Sequence, residues 1–172
     1  MLQNEGMVKL VENRGAFVVQ PTSEEIFNVF SLRADLEIIS IDYGIQKISS
    51  SDYDEMNETI KQEKKFYSDG DFLSYIECNK KFHMIYANKS KNKILIEFLE
   101  KIFHLTGVFL MLYDTWQSDM NPVSLKEHER LLVFLKNGEN DALKRYLKMH
   151  VINTSEHLEK NMINYNPLQQ IF

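Results

Sequence analysis

Cysteine is nearly absent: Cys78 stands alone in 172 residues. No internal disulfide can form, which excludes the stapled scaffolds of small secreted domains and fits a reducing, cytoplasmic setting. Glycine and proline are scarce as well, at 6 and 3, too few turn-formers for an all-β sandwich or barrel. Long apolar runs are missing. The most apolar stretch, Ile94 to Tyr113, is broken by Glu97, Glu100, Lys101 and His104, so no bilayer-spanning helix is expected. Glu5 precedes any apolar run, unlike the basic-then-apolar layout of a signal peptide. Positive charge is not in excess either: 20 Lys and Arg face 25 Asp and Glu, a net charge of −5, which speaks against the chain gripping nucleic acid by itself.

What is present is an ordinary globular composition, 44% apolar and 26% charged, in a chain long enough for one well-buried core. Residues Met7 to Val19 read as two short strands around Glu12-Asn13-Arg14-Gly15, with glycine supplying the positive φ of a tight hairpin. Pro21 ends the second strand, and Thr22-Ser23-Glu24-Glu25 forms a capping box. Ile26, Phe27, Phe30, Ala34, Ile38, Ile41 and Ile45 then recur at helical spacing and carry a first helix to about Ser49. A more polar second helix marked by Tyr53, Met56, Ile60 and Phe66 is expected at the surface and ends near Asp69-Gly70. Further helices are expected over Phe72 to Asn88, Lys93 to about Trp116, Pro122 to Asn137 and Asp141 to about Asn164. Gly138 stops the fifth, and Ser124 to Glu127 offers it a capping box, with Pro122 as an alternative start. The expected architecture is a hairpin followed by an antiparallel bundle of six to seven helices.

The histidines are the chemically suggestive residues. Asn79 and His83 lie four apart on one face of the third helix, His128 follows on the fifth and His150 on the sixth. Three helices can thus aim imidazoles at one interior point, where neutral ring nitrogens and an amide oxygen would suit a Zn-class ion. The alternative is that each histidine is an ordinary residue satisfied by a neighbour. His104 and His157 are left as ordinary residues, His157 sharing a face with His150. Arg33 interrupts the apolar stripe of the first helix; it can pair with Glu37 at i+4 or present a fork to a ligand carboxylate. Trp116, Tyr113, Phe109 and Tyr86 can line a pocket or simply fill the core.

These residues carry a resemblance that covers nearly the whole chain. Asn4 to Val8 and Asn13 to Val18 resemble the end of a winged-helix domain and its wing. Ser23-Glu24-Glu25-Ile26 and Leu32 to Glu37 resemble the opening of a first sensor helix. Phe82-His83 with Asn79, then Asn92, Glu127-His128, Gly138, Asp141, Ala142 and His150 follow in order. The set resembles the C-terminal FCD ligand-sensing domain of the FadR subfamily of GntR transcriptional regulators. The resemblance implies an all-helical domain over residues 21–172 that dimerises through its first and fourth helices and binds a small organic acid near a divalent Zn, Ni or Mn-class metal. It implies metal ligation by His83, His128 and His150, with Asn79 where the family usually has Asp, an uncharged and weaker ligand. With four neutral donors a bound ion keeps its full double charge and attracts an anionic effector more strongly. Arg33 is the expected effector-binding residue.

Residues 1–20 are expected to be a remnant of the winged helix, the end of its recognition helix and its wing. Lys9 and Arg14 balance Glu5 and Glu12 there, so Arg14 is at most a weak DNA contact, and DNA would be reached only through the missing part of the winged helix. The expected function is effector sensing and homodimerisation in a transcriptional regulator, with no catalytic residues. Two rivals are a metal-dependent hydrolase and a ligand-free dimerisation module. Against the hydrolase, His128-Glu129 is followed by Leu132 and not a second histidine, and no histidine has Glu three residues before it.

Overall fold

The computed structural model describes residues 8–11, 15–18, 20–116 and 123–162. Strands β1 (Val8–Val11) and β2 (Gly15–Val18) pair antiparallel, Val8 opposite Val18 and Val11 opposite Gly15. Gly15 takes φ +92°, the left-handed backbone that the hairpin reading requires. Six helices follow: α1 (Ser23–Gly44), α2 (Ser50–Ser68), α3 (Phe72–Lys89), α4 (Lys93–Tyr113), α5 (Val123–Asn137) and α6 (Asn140–Met162).

Local chemistry sets the starts. Thr22 Oγ1 accepts from the Glu25 amide at 3.1 Å, and Glu25 accepts from the Thr22 amide at 2.7 Å, which completes the capping box of α1. Asp71 and Asn92 cap α3 and α4 by accepting from Ser74 and Leu95. Gly138, at φ +69°, terminates α5 as its sequence position suggests.

The structure corrects four details. Helix α1 stops at Gly44 and passes into a 3-10 turn, Ile45–Lys47, instead of running to Ser49. The reason is a close approach: a Cβ on Gly44 would lie 2.8 Å from the Ser90 amide and 2.9 Å from the Lys89 carbonyl carbon, so the backbones of α1 and α3 nearly touch there. Phe27, counted in the apolar stripe, is exposed. Helix α4 ends at Tyr113 because Asp114 is extended. Ser124 lies inside α5 and does not cap it; its hydroxyl bonds the Tyr75 hydroxyl at 2.7 Å. Pro122 lies outside the described residues.

The helices pack into one body in which α1 lies against α3, α4 and α6, while α2 lies against α3 and α5. Ile26, Phe30, Ile41, Met56, Phe82, Leu99, Leu147 and Leu158 are fully buried and come from every helix except α5. Helix α2 is more than a surface element: its inward face carries Met56, Thr59, Ile60, Glu63 and Tyr67. Across the middle of this apolar core runs a layer of fully buried polar side chains, Glu37, Glu63, His83, His128 and His150.

At the start of α2, Asp52 binds Lys89 Nζ at 2.6 Å and both the hydroxyl and amide of Ser49. Burial alone would raise its pKa, but the bonds from Lys89 and Ser49 outweigh that and pull it from 3.8 to about 2. The folded protein therefore keeps Asp52 ionised while the unfolded chain takes up a proton, and this contribution, present above about pH 4, is lost as pH falls towards 2. With solvent screening allowed for, it amounts to about 1 kcal/mol. Urea titrations should show Asp52→Asn less stable than the native chain by that amount at pH 6, with the difference closing between pH 4 and pH 2.

A buried three-histidine centre and its cavity

The centre starts with acidic residues placed in apolar seams. Glu37 falls on the same face of α1 as Phe30, Ala34 and Ile41, and is itself fully buried. A lone carboxylate there would be prohibitively costly, so it must gather donors. Arg33 Nε donates to Oε1 at 2.7 Å, one helical turn away. His83 Nδ1 donates to Oε2 at 2.7 Å from α3, and the Tyr86 hydroxyl donates to that same oxygen. Burial works to raise the Glu37 pKa, yet His83, Arg33 and these hydrogen bonds hold it below the usual carboxylate range.

The motif repeats twice. His128 Nδ1 on α5 donates to Glu63 of α2 at 2.8 Å, and His150 Nδ1 on α6 donates to Glu127 of α5 at 2.7 Å. A carboxylate only accepts, so each pairing fixes the proton on Nδ1 and leaves Nε2 as a bare lone pair. The three rings gather with centroids 5.0 Å (83 to 128), 5.4 Å (83 to 150) and 4.9 Å (128 to 150) apart. One nitrogen from each lies within 4.8 Å of the others. Nε2 of His83 and of His128 are buried with no hydrogen-bond partner. Burial, reinforced by Arg33, pushes His83 down to about 3, and burial also lowers His150 against the bond from Glu127. Burial thus disfavours the charged form of His83 and of His150.

Lone pairs crowded together without a hydrogen between them call for a cation. The donor set fits one: three imidazole nitrogens, each backed by a carboxylate, is how proteins orient histidine towards Zn-class ions. Asn79 stands beside them, as its spacing from His83 implies, and its Nδ2 donates to Glu63 at 3.3 Å. That bond uses one of its two amide hydrogens.

A cavity of about 380 Å³ opens next to the histidines. Arg33, Asn79, Glu127 and His150 border it at one end, and Tyr67, Tyr75, Leu110 and Val123 form much of its wall. Arg33 is 3% exposed, its guanidinium lies 4.2 Å above the Phe103 ring, and its Nη2 has no partner. The ion pair with Glu37 that the sequence offered is formed through Nε in the interior, and Nη2 is left without a hydrogen-bond partner.

Of the residues singled out in the sequence, the structure unites His83, His128 and His150 and sets Asn79 and Arg33 alongside. His104 is exposed on α4. His157 borders the cavity and pairs with Asp114 at 3.0 Å. Arg14 lies outside the described residues. Phe109 and Tyr113 are core residues, Tyr86 serves Glu37, and Trp116 packs on Phe72, Tyr67 and Tyr75; the tyrosines of the wall are Tyr67 and Tyr75. Sequence reasoning also missed Glu37 as an anchor for His83 and Glu63 altogether. The signal for Glu63 was its register, since it continues the Met56, Ile60, Tyr67 seam of α2 as a charge on the buried face.

Comparison with known proteins agrees with this architecture. The FCD domain family model matches residues 28–153. The chain is 22% identical over 160 residues to the HTH-type transcriptional regulator YdhC of Bacillus subtilis, covering 92% of this chain and 71% of that one. It is 24% identical over 138 residues to the HTH-type transcriptional regulator McbR of Escherichia coli, covering 77% of this chain and 61% of that one. Among solved structures, McbR superposes with a TM-score of 0.79 at 18% identity over 92% of this chain and 80% of that one. The metal-free FCD domain of TM0439 superposes with a TM-score of 0.70 at 20% identity, over 86% of this chain and all of that one. Both of these relatives are HTH-type transcriptional regulators. Among the described residues no helix is long and apolar enough to cross a membrane.

Breaking one partner of the buried Arg33 and Glu37 pair should destabilise the fold strongly. Glu37→Gln is expected to cost about 3 kcal/mol in urea unfolding, because Arg33 and His83 lose their carboxylate. The double variant Arg33→Met with Glu37→Leu should recover part of that loss, and a double-mutant cycle measures the coupling.

Proposed function

The chain belongs to the FCD domain family found in GntR-type transcriptional regulators, and from that premise we propose that it is the effector-sensing and dimerising part of such a regulator. In this reading His83, His128 and His150 hold a divalent metal of the Zn, Ni or Mn class, with the oxygen of Asn79 as a neutral fourth donor. The observation that carries it is the trio of Nε2 lone pairs, two of them buried and unpartnered. When bound, such an ion supplies positive charge and open positions for an anion. The effector is a small carboxylate whose charge meets the terminal nitrogens of Arg33, which Glu37 holds by Nε alone.

The site touches the helix that would transmit the signal. Arg33 and Glu37 belong to α1, and the neighbouring face of that helix bears Val29, Leu32, Leu36, Ile39 and Tyr43 at alternating spacings of three and four. Leu32, Ile39 and Tyr43 are exposed, as are Ile94 and Phe98 of α4, which packs on α1. Apolar stripes left uncovered on adjoining helices suit a homodimer interface. The effector would act by binding one arrangement of the dimer more tightly than another. The hairpin over residues 8–18 is read as a wing, and DNA as a partner of the winged-helix domain; the helical body reaches DNA only through it.

Elemental analysis of protein purified without chelator tests the metal. About one Zn, Ni or Mn ion per chain is expected, EDTA should lower the melting temperature by roughly 5 °C or more, and His83→Ala should remove the ion. Absence of metal, with no added ion raising the melting temperature, overturns this reading. Sedimentation tests the interface: the native chain should run as a dimer and Leu32→Glu with Phe98→Glu as a folded monomer.

A further inference from the structure

The cavity discriminates between kinds of carboxylate, an inference that rests on the effector reading above. Its polar lining is already engaged on most sides. Thr154 donates to the His150 carbonyl at 3.0 Å, Ser124 and Tyr75 share one hydrogen bond, and Asn153 bonds Glu127. His157 holds Asp114. A ligand rich in hydroxyl groups would have to break these bonds or leave its own groups unpaired, and either is costly in a buried site. Among the described residues, the buried side-chain polar atoms that lack partners are Nη2 of Arg33 and Nε2 of His83 and His128, together with Nε1 of Trp116. Of these four residues, Arg33 is the one that lines the cavity.

Charge restricts the ligand further. Glu127 and Asp114 border the cavity, while Arg33 is the guanidinium that lines it. A carboxylate matches Arg33 and the ion read at the histidine end; a second one carried on the far side of the ligand would face Asp114, which His157 already pairs. Size and wall then describe the rest of the molecule. About 380 Å³ holds on the order of ten waters, far more than a two- or three-carbon acid displaces. The wall is Tyr67, Tyr75, Leu110 and Val123, and the two tyrosine rings meet edge to face at 5.2 Å, an arrangement that accepts another ring.

We infer that the effector is a monocarboxylate with an apolar, ring-bearing body, held by its charge at Arg33 and by its ring against Tyr67 and Tyr75, in preference to polyhydroxy or polycarboxylic acids.

Trp116 provides the readout, because it is the single tryptophan of the chain and packs 6.1 Å from Tyr67 and 5.4 Å from Tyr75, centroid to centroid. Calorimetry and Trp116 fluorescence would be run on the whole chain, as purified and with one equivalent of zinc, against 3-phenylpropanoate, 3-phenylpropanamide, gluconate and citrate. The expected result is that 3-phenylpropanoate binds at least tenfold more tightly than gluconate, citrate or the amide, with a saturable change in fluorescence. Gluconate or citrate binding as tightly as 3-phenylpropanoate overturns the inference and leaves the carboxylate reading intact. Binding of 3-phenylpropanoate without a fluorescence change places the ligand elsewhere and also overturns it. If none of the carboxylates binds in either condition, the effector reading falls with it.

Discussion

A carboxylate cannot sit in an apolar core unless several donors come to it, and Glu37 imposes that requirement on this fold. Its two oxygens gather Arg33 from its own helix and His83 and Tyr86 from α3. Glu63 and Glu127 impose the same demand on His128 and His150. The three pairs join α1 to α3, α2 to α5 and α5 to α6, so the polar layer sets how the helices sit against one another. Apolar contact alone tolerates sliding; a buried hydrogen bond to a carboxylate, with one good geometry, does not. The arrangement that orients the rings is thus also part of what specifies the bundle.

The same layer separates what could be read in the chain from what could not. Helix starts and stops made from adjacent residues were legible: the Thr22 and Glu25 box and the stop at Gly138 are local chemistry. So was the convergence of His83, His128 and His150, because each sits on a strongly patterned helix. The partner of His128 was not, since Glu63 lies 65 residues away and nothing in its neighbourhood names the ring it meets. The end of α1 was misjudged for a similar reason: apolar spacing continues to Ile45, and only the backbone of α3 passing Gly44 shows why the helix stops. Which aromatic rings wall the cavity was likewise a tertiary matter, decided by how α2 and α3 present Tyr67 and Tyr75 to it.

Helix α1 is the element on which the chemistry and the uncovered surface meet. One side of it supplies Arg33 and Glu37 to the interior, and the adjoining side leaves Leu32, Ile39 and Tyr43 outside. In the proposed reading, a change in what Arg33 holds acts on a helix whose adjoining face is exposed. Little intervening structure is needed between the two, because they are separated by the thickness of a single helix.

The near-contact at Gly44 has a mechanical meaning. With its backbone against Lys89 and Ser90, the C-terminal end of α1 has no room to close on α3, so any tilt of this helix would turn about that end as about a clamp. At a rise of 1.5 Å per residue, Arg33 lies about 16 Å from the clamp and Ser23 about 31 Å. A tilt about that fulcrum carries the N-terminal tip roughly twice as far as the guanidinium moves, and it does so at the end of the helix that adjoins the hairpin.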